Sequence, residues 1–322
     1  MAESFLRRFV SKLATPAQTQ TPQIFLAAFG KHPAWDDHMP DHLGLETKAL
    51  IELKQMLYGG IRGNIESGAW DKVKVNFPLT AFDHAFVWRT PAALIAGRLW
   101  QSKDGKGRDA YPMIVAAECA DGNNLGVAED CIAAARELQV QLDALRSPSD
   151  VQSTIDAARV QLRERIAAIS AAPKNETEEI DAREVLLRVP ELGPTSEGML
   201  RILYHIEREM TAYRDRKQSS ASKTATTMRP QAIRVPRGAA SPAESAVLWI
   251  HFLISQLSPS ISCAALLPES NDWVDLIVGQ PTPAQLFCIR VPLAVLPLTN
   301  KIPYTLDPDF ARRVGLSEIT EP

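Results

Sequence analysis

Three apolar runs separated by short turns constrain this chain more than any other feature. They are Phe82 to Arg89, Ala92 to Trp100 and Tyr111 to Glu118. Thr90-Pro91 joins the first two, and a Gly-rich turn at Asp104 to Arg108 precedes the third. Short apolar runs bounded by Pro and Gly read as strands. The Asp-Gly-Lys-Gly turn makes the second and third a hairpin, with residues 101–110 at its tip. An earlier run, Gln23 to Phe29, reads as another buried strand that stops at Gly30.

Helical spacing follows elsewhere. Leu45, Ala49, Leu53 and Leu57 predict a helix over 44–58, stopped by Gly59-Gly60. Ala128, Cys131, Ala135, Leu138, Leu142 and Leu145 line one face, and Val151, Ile155, Ala158, Leu162, Ile166 and Ile169 line a second. Ser147-Pro148-Ser149-Asp150 between them is a helix boundary, so 125–170 reads as an α-hairpin. Glu184 to Val189 reads as a strand, and Met199, Leu203, Ile206, Met210 and Tyr213 as a further helix. Ser241-Pro242-Ala243-Glu244 has a helix-start signature: Ser as cap, Pro at the first helical position, Glu at the third. Ile261 to Leu267, Trp273 to Val278 and Gln285 to Val291 read as three more strands. Alternating strands and helices predict an α/β fold with helices against a mixed sheet.

The chain divides into an N-terminal helix and linker (1–22), an α/β region (23–124), a helical region (125–215), a flexible basic linker (216–242) and a C-terminal α/β region (243–322) that completes the same sheet. The N-terminal segment places Phe5, Leu6, Phe9, Val10 and Leu13 among Arg7, Arg8 and Lys12, an amphipathic pattern without a signal-peptide core. The linker carries Arg216, Lys217, Lys223, Arg229, Arg234 and Arg237 and no acidic residue.

Bulk properties exclude several classes. A formal net charge of −3 over 322 residues gives no global pull toward nucleic acid. No apolar run reaches the ~20 residues of a membrane span. The 4 cysteines are scattered without a Cys-x-x-Cys pair, which fits a reducing compartment and a cytoplasmic protein.

Two phrases concentrate charge, aromatic, Gly and Pro residues where apolar runs stop. The first is Phe29-Gly30-Lys31-His32-Pro33-Ala34-Trp35-Asp36-Asp37-His38. The second runs from Gly97 through Ser102, Asp104, Gly107 and Arg108 to Tyr111-Pro112. Rigid strand ends place such loops for function. Gly105 to Arg108 offers bare amides and two cations, the ingredients of an anion cradle, but it leads into a strand rather than a helix. Asp36, Asp37, His38 and His42, with Asp41 or His84, carry metal-binding groups without an ordered ligand spacing, and no metal is assigned. No serine or cysteine sits in an activating pattern, so no catalytic residue is assigned. Trp35, Trp70, Trp88 and Trp100 cluster in the first third, where core burial is the default.

At these phrases the chain resembles the TagF (ImpM/SciM) family of bacterial type VI secretion proteins. Gly30, Lys31, Pro33 and Asp37 match that family's first phrase, in which Asp36 and His38 replace a glycine and a phenylalanine. Gly97, Ser102, Asp104, Gly107, Arg108, Tyr111 and Pro112 match its second phrase. The match covers about residues 23–120, with Ala246 to Trp249 similar to a later family segment. The resemblance implies a layered α/β/α fold, here with a mixed, largely antiparallel sheet and a helical hairpin in the middle. It also implies a non-enzymatic regulator without a cofactor. Such a protein holds the secretion apparatus inactive or assists its assembly, partly through a forkhead-associated scaffold protein. Trp35, Asp36 and Asp37 join the motif residues as a partner-facing patch, with Asp36 or Asp37 paired to Arg108. Two other readings stand beside it: an anion or nucleotide binder using Gly105 to Arg108, and an oligomeric component whose 125–170 helices form the interface.

Overall fold

The computed structural model describes residues 23–41, 43–122, 124–171, 186, 189, 192, 197–219, 230–238, 241–256, 260–306 and 308–313. The N-terminal segment 1–22 and His42 lie outside them.

Seven strands form one sheet: β1 (Ile24–Gly30), β2 (Asp83–Arg89), β3 (Leu94–Trp100), β4 (Met113–Cys119), β5 (Gln231–Pro236), β6 (Cys263–Pro268) and β7 (Trp273–Val278). Their order is β1-β4-β3-β2-β6-β7-β5. Every pairing among them is antiparallel, including the short-turn pairs β2–β3 and β3–β4. The junction β2–β6 unites strands from the two ends of the chain, with Phe86 opposite Leu266.

Seven α-helices complete the described architecture: α1 (Lys48–Glu66), α2 (Ala69–Lys74), α3 (Val127–Ala144), α4 (Pro148–Ala171), α5 (Glu197–Ser219), α6 (Pro242–Gln256) and α7 (Pro308–Arg313). Side chains alternate across a sheet, and here both faces are apolar. Leu26, Val87, Ala96, Val115, Ala265 and Leu276 face a layer containing α3 to α6. Phe29, Phe86, Ile95, Ile114, Leu266 and Ile277 face α1, α2 and a 3-10 helix, Pro283–Arg290. The result is a three-layer α/β/α arrangement. Among the described residues no helix is long and apolar enough to cross a membrane.

Several sequence expectations are corrected. The pair Gly59-Gly60 does not stop α1, which continues to Glu66. The glycines serve packing instead: a Cβ on Gly60 would lie 2.5 Å from Leu286 Cδ1 and 2.8 Å from Leu286 Cβ. Gln285 to Val291 is not a strand. Thr282 and Gln285 form a capping box with Pro283 at the helix start, and this local chemistry turns the segment into a 3-10 helix. In the strand expected at 184–189, Leu186 is helical, Val189 is not in a strand, and the remaining positions lie outside the described residues. The flexible linker expected at 216–242 is corrected at both ends. α5 runs through Ser219, and Gln231–Pro236 is an edge strand. Its Arg234 is fully buried, forks onto Asp275 at 2.7 and 2.8 Å, and donates to the carbonyls of Cys288, Val291 and Leu296. A charge read as solvated is a core ion pair that pins the 288–296 segment to the sheet.

The capping box at α6 forms as its sequence predicts: Ser241 Oγ accepts from the Glu244 amide at 3.2 Å, and Glu244 accepts from the Ser241 amide at 3.0 Å. The α3–α4 hairpin also forms. Leu138, Leu142, Val151, Ile155, Leu162 and Ile166 are buried within this chain. The inward faces of these two helices are thus covered by the chain itself, while Val140 and Val160 on the same helices stay exposed.

β1 is an outer strand, a hazard for edge-to-edge association. Arg159 and Arg163 of α4 donate to its Leu26 and Ile24 carbonyls at 3.0 and 3.1 Å, and the Ala28 amide donates to the Leu43 carbonyl at 3.1 Å.

Candidate functional site

Gly30 ends β1 at φ 125°, a conformation that favours glycine. A Cβ there would lie 2.2 Å from the Pro112 carbonyl oxygen, so only glycine lets β1 turn beside β4. The turn throws Lys31 inward. Lys31 and His38 form an isolated antiparallel bridge that closes the first loop. The β3–β4 hairpin brings the second loop alongside.

The centre of this arrangement is Asp104, whose side chain is completely buried. Lys31 Nζ donates to it at 2.9 Å and Arg108 Nε at 2.7 Å. The amides of Lys106 and Arg108 both donate to its Oδ1 at 3.0 Å. Burial pushes the Asp104 carboxyl up, but the Lys31 hydrogen bond and the Arg108 amide and guanidinium hold it well below the usual carboxylate range. Asp104 is a saturated structural anion rather than a proton acceptor.

Other motif residues gather around it. Lys31 also donates to Asp37 at 2.8 Å, and that hydrogen bond lowers the Asp37 carboxyl. Arg108 donates to the Asp36 carbonyl at 2.6 Å and approaches Asp37 at 3.5 Å. The expected Asp36 or Asp37 pairing with Arg108 is thus secondary; the principal carboxylate for Arg108 is Asp104. The Asp36 side chain faces Lys106 at 3.9 Å. The Gly105 amide donates to the Trp35 carbonyl at 2.6 Å, and the Lys31 amide to the Pro112 carbonyl at 3.3 Å. Gly107, at φ 81°, donates to the Asp104 carbonyl at 2.9 Å. Pro33 and Ser102 lie within the same two loops.

These bonds bear on the anion-cradle reading. All four amides from Gly105 to Arg108 already have acceptors within the chain, two of them on the Asp104 carboxylate. The concavity is occupied by an internal anion. Sequence reasoning passed over this role of Asp104. Its signal was present, since an Asp that opens a Gly-rich turn accepts from amides just downstream.

The first loop is anchored on two further sides. His32 is buried: its Nδ1 accepts from the Ala34 amide at 3.1 Å, and its Nε2 lies 2.9 Å from the Leu142 carbonyl at the end of α3. Burial lowers its pKa. Trp100 of β3 donates to Asp143 of the same helix at 3.1 Å. On the other side, His38 Nδ1 lies 3.0 Å from the Tyr58 hydroxyl, and its ring packs against Tyr58 and Tyr111 at centroid distances of 5.1 Å each. Burial and then the Lys31 charge lower the pKa of His38. Among the tryptophans, Trp70, Trp88 and Trp100 are buried, while Trp35 is half-buried against His32.

What remains exposed is a rigid face carrying the side chains of Asp36, Asp37, Lys106 and Arg108. His84 is not part of it. That side chain is fully buried in β2, with its Nδ1 accepting from the Asp83 amide at 3.2 Å. Among the described residues, no group of three or more His, Cys, Asp and Glu side chains is arranged to hold a metal ion. All four cysteines are buried as free thiols, and burial raises the pKa of each.

Comparison with known proteins finds no match: no family model, curated protein or solved structure matches the chain.

Proposed function

We propose that this chain is a non-enzymatic accessory protein of a bacterial type VI secretion machine, working in the cytoplasm through protein–protein contact. Its role is that of a post-translational repressor or assembly factor, and its partner is a forkhead-associated scaffold protein. The observation that carries the reading is the joint built by the motif residues themselves. Lys31, Asp104 and Arg108 lock two loops together and leave Asp36, Asp37 and Lys106 on a preorganised exposed face. Preorganisation lowers the entropy cost of docking, and charges of both signs on one rigid face favour specificity over non-specific attraction. The saturated Asp104 and the engaged loop amides weigh against the anion-binding alternative.

Biolayer interferometry against the scaffold protein tests this reading, with circular dichroism as the folding control. Lys106→Glu inverts an exposed charge and should keep the fold while weakening scaffold binding by about tenfold. Arg108→Glu should abolish binding. If the folded Lys106→Glu, Asp36→Lys and Asp37→Lys variants all bind the scaffold as the parent does, the loop face is not the docking surface. If the parent itself does not bind, the scaffold assignment is wrong.

A further inference from the structure

His32 ties the first loop to the end of α3, and its ring uses both nitrogens to do so. Nδ1 accepts from the Ala34 amide at 3.1 Å, so it carries no proton. The proton of the neutral ring therefore sits on Nε2, which donates to the Leu142 carbonyl at 2.9 Å. The residue is 1% exposed. The His32 and Trp35 rings pack edge to face, 5.7 Å between centroids, and the Trp35 amide donates to the His32 carbonyl at 3.1 Å. The Trp35 carbonyl in turn accepts from the Gly105 amide at 2.6 Å. A continuous path thus runs from α3 through His32 and Trp35 to the second loop.

This arrangement accommodates only the neutral ring. A second proton must land on Nδ1, where it would face the Ala34 N–H, donor against donor, and strip that amide of its acceptor. The buried ring also has little water to solvate a new charge. Asp143, in the last turn of α3, and Arg146, just beyond it, are the charged groups that face the ring among the described residues. Both are engaged. Trp100 Nε1 of β3 donates to Asp143 at 3.1 Å, and Arg146 donates to the Asp143 and Leu145 carbonyls at 2.8 and 2.6 Å. Lys31, the preceding residue, is held by Asp37 and Asp104. Burial is the largest influence on the ring and lowers its pKa; the Leu142 bond and Asp143 pull the other way, and Arg146 adds to the lowering.

We propose that His32 is a proton-operated latch: protonation of Nδ1 releases residues 32–35 from α3 and unties Trp35 from Gly105, while the Lys31–Asp104–Arg108 joint stays closed. The flanks of the released segment have bonds of their own. The Lys31 amide donates to Pro112, and Arg108 donates to the Asp36 carbonyl. The amides of Lys106 and Arg108 stay on Asp104. A released His32 takes up its proton near the ordinary value of about 6.5, and the latched ring refuses it. Opening therefore becomes about tenfold more favourable per pH unit below 6.5, until the ring is protonated. The inference concerns the chain alone and does not rest on the type VI reading.

Amide hydrogen exchange by NMR on the full chain, between pH 7 and 4, tests it. Protection of Ala34, Trp35 and Gly105 should fall about tenfold per pH unit below 6.5 after correction for intrinsic exchange, while Lys106 and Arg108 keep theirs. His32→Asn places a non-titrating acceptor where Nδ1 stood, and should abolish that slope. His38→Gln, at the other end of the loop, should leave it in place. Flat protection at Ala34 overturns the proposal. So does a fall at Lys106 and Arg108 in step with Ala34, because the joint then opens with the loop. A slope that survives His32→Asn, or disappears in His38→Gln, assigns the proton to another group and also overturns it. The parent supplies two checks that need no variant to fold. Nitrogen-15 NMR at pH 7 should place the His32 proton on Nε2, and the fall in protection should end where the His32 ring titrates. A proton on Nδ1, or a ring that titrates elsewhere, rejects the latch.

Discussion

Lys31 and Asp104 stand 73 positions apart in the chain and meet at 2.9 Å, with the lysine side chain 5% exposed and the carboxylate fully buried. A charged pair out of water stays favourable only when its remaining hydrogen-bonding capacity is met. Here Arg108 and two backbone amides meet it, and the lysine gains Asp37 as a second acceptor. Two loops from distant parts of the sequence thereby become one rigid body.

This joint predicts an asymmetry between the two carboxylates that hold Lys31. Lys31→Met should lower the urea unfolding midpoint clearly, because it strips a buried carboxylate of a charged donor. Asp37→Ala should change it little, because that side chain is 72% exposed and its ion pair is screened by water. Equal midpoints for the two variants would remove the structural role assigned to the Lys31–Asp104 pair.

The Arg234–Asp275 pair makes a second prediction. Asp275→Asn should cost about 3–5 kcal/mol, the typical penalty for stranding one partner of a buried ion pair. A double replacement, Arg234→Met with Asp275→Leu, should recover much of that loss because no buried charge is then left alone. Denaturant unfolding of the three variants checks this, and a double variant no better than the single one refutes it.

Two glycines in α1 should respond oppositely to alanine. Nothing lies within 4 Å of a Cβ at Gly63, so Gly63→Ala should stabilise by up to about 1 kcal/mol through helix propensity. Gly60→Ala gains the same propensity but drives a methyl into Leu286, and should destabilise the chain. Thermal melts of both variants decide the matter.

His84 predicts a pH dependence. Burial first, and then the Arg234 and Arg98 charges, pull its pKa down to about 3. In the unfolded chain the ordinary value is about 6.5. The unfolded state therefore binds a proton that the folded state refuses, and stability is complete above pH 6.5. As pH falls toward 3, stability should drop by about 1.4 kcal/mol per unit from this one group. Buried His32, also lowered, adds to the same slope. Stability curves over this window should be shallower for His84→Gln by about one proton. An unchanged slope would show that His84 titrates normally.

Much of the fold was written locally. Apolar runs between Pro and Gly located β1 to β4, β6 and β7, and the capping residues Ser241 and Glu244 fixed the start of α6. The helical faces at 125–170 formed because their apolar spacing follows the helix period. Legibility failed where a neighbour decided the outcome. Gly59-Gly60 read as a helix stop because local propensity cannot register Leu286 closing on Gly60. Gln231–Pro236 read as linker because a basic, Pro-flanked stretch looks solvated until Asp275 and three carbonyls enclose Arg234.

The candidate site divides along the same line. The sequence by itself determined which residues stand at the strand ends, the glycines that let the chain turn there, and the hairpin that carries the second loop. The tertiary structure alone decided which charges meet. Asp36 and Asp37 were the evident acids, yet Asp104 lies at the centre and Lys31 bridges to it. The reason is range: backbone turns are governed by neighbouring residues, whereas the desolvation and pairing of charges depend on which distant side chains folding brings within about 3 Å.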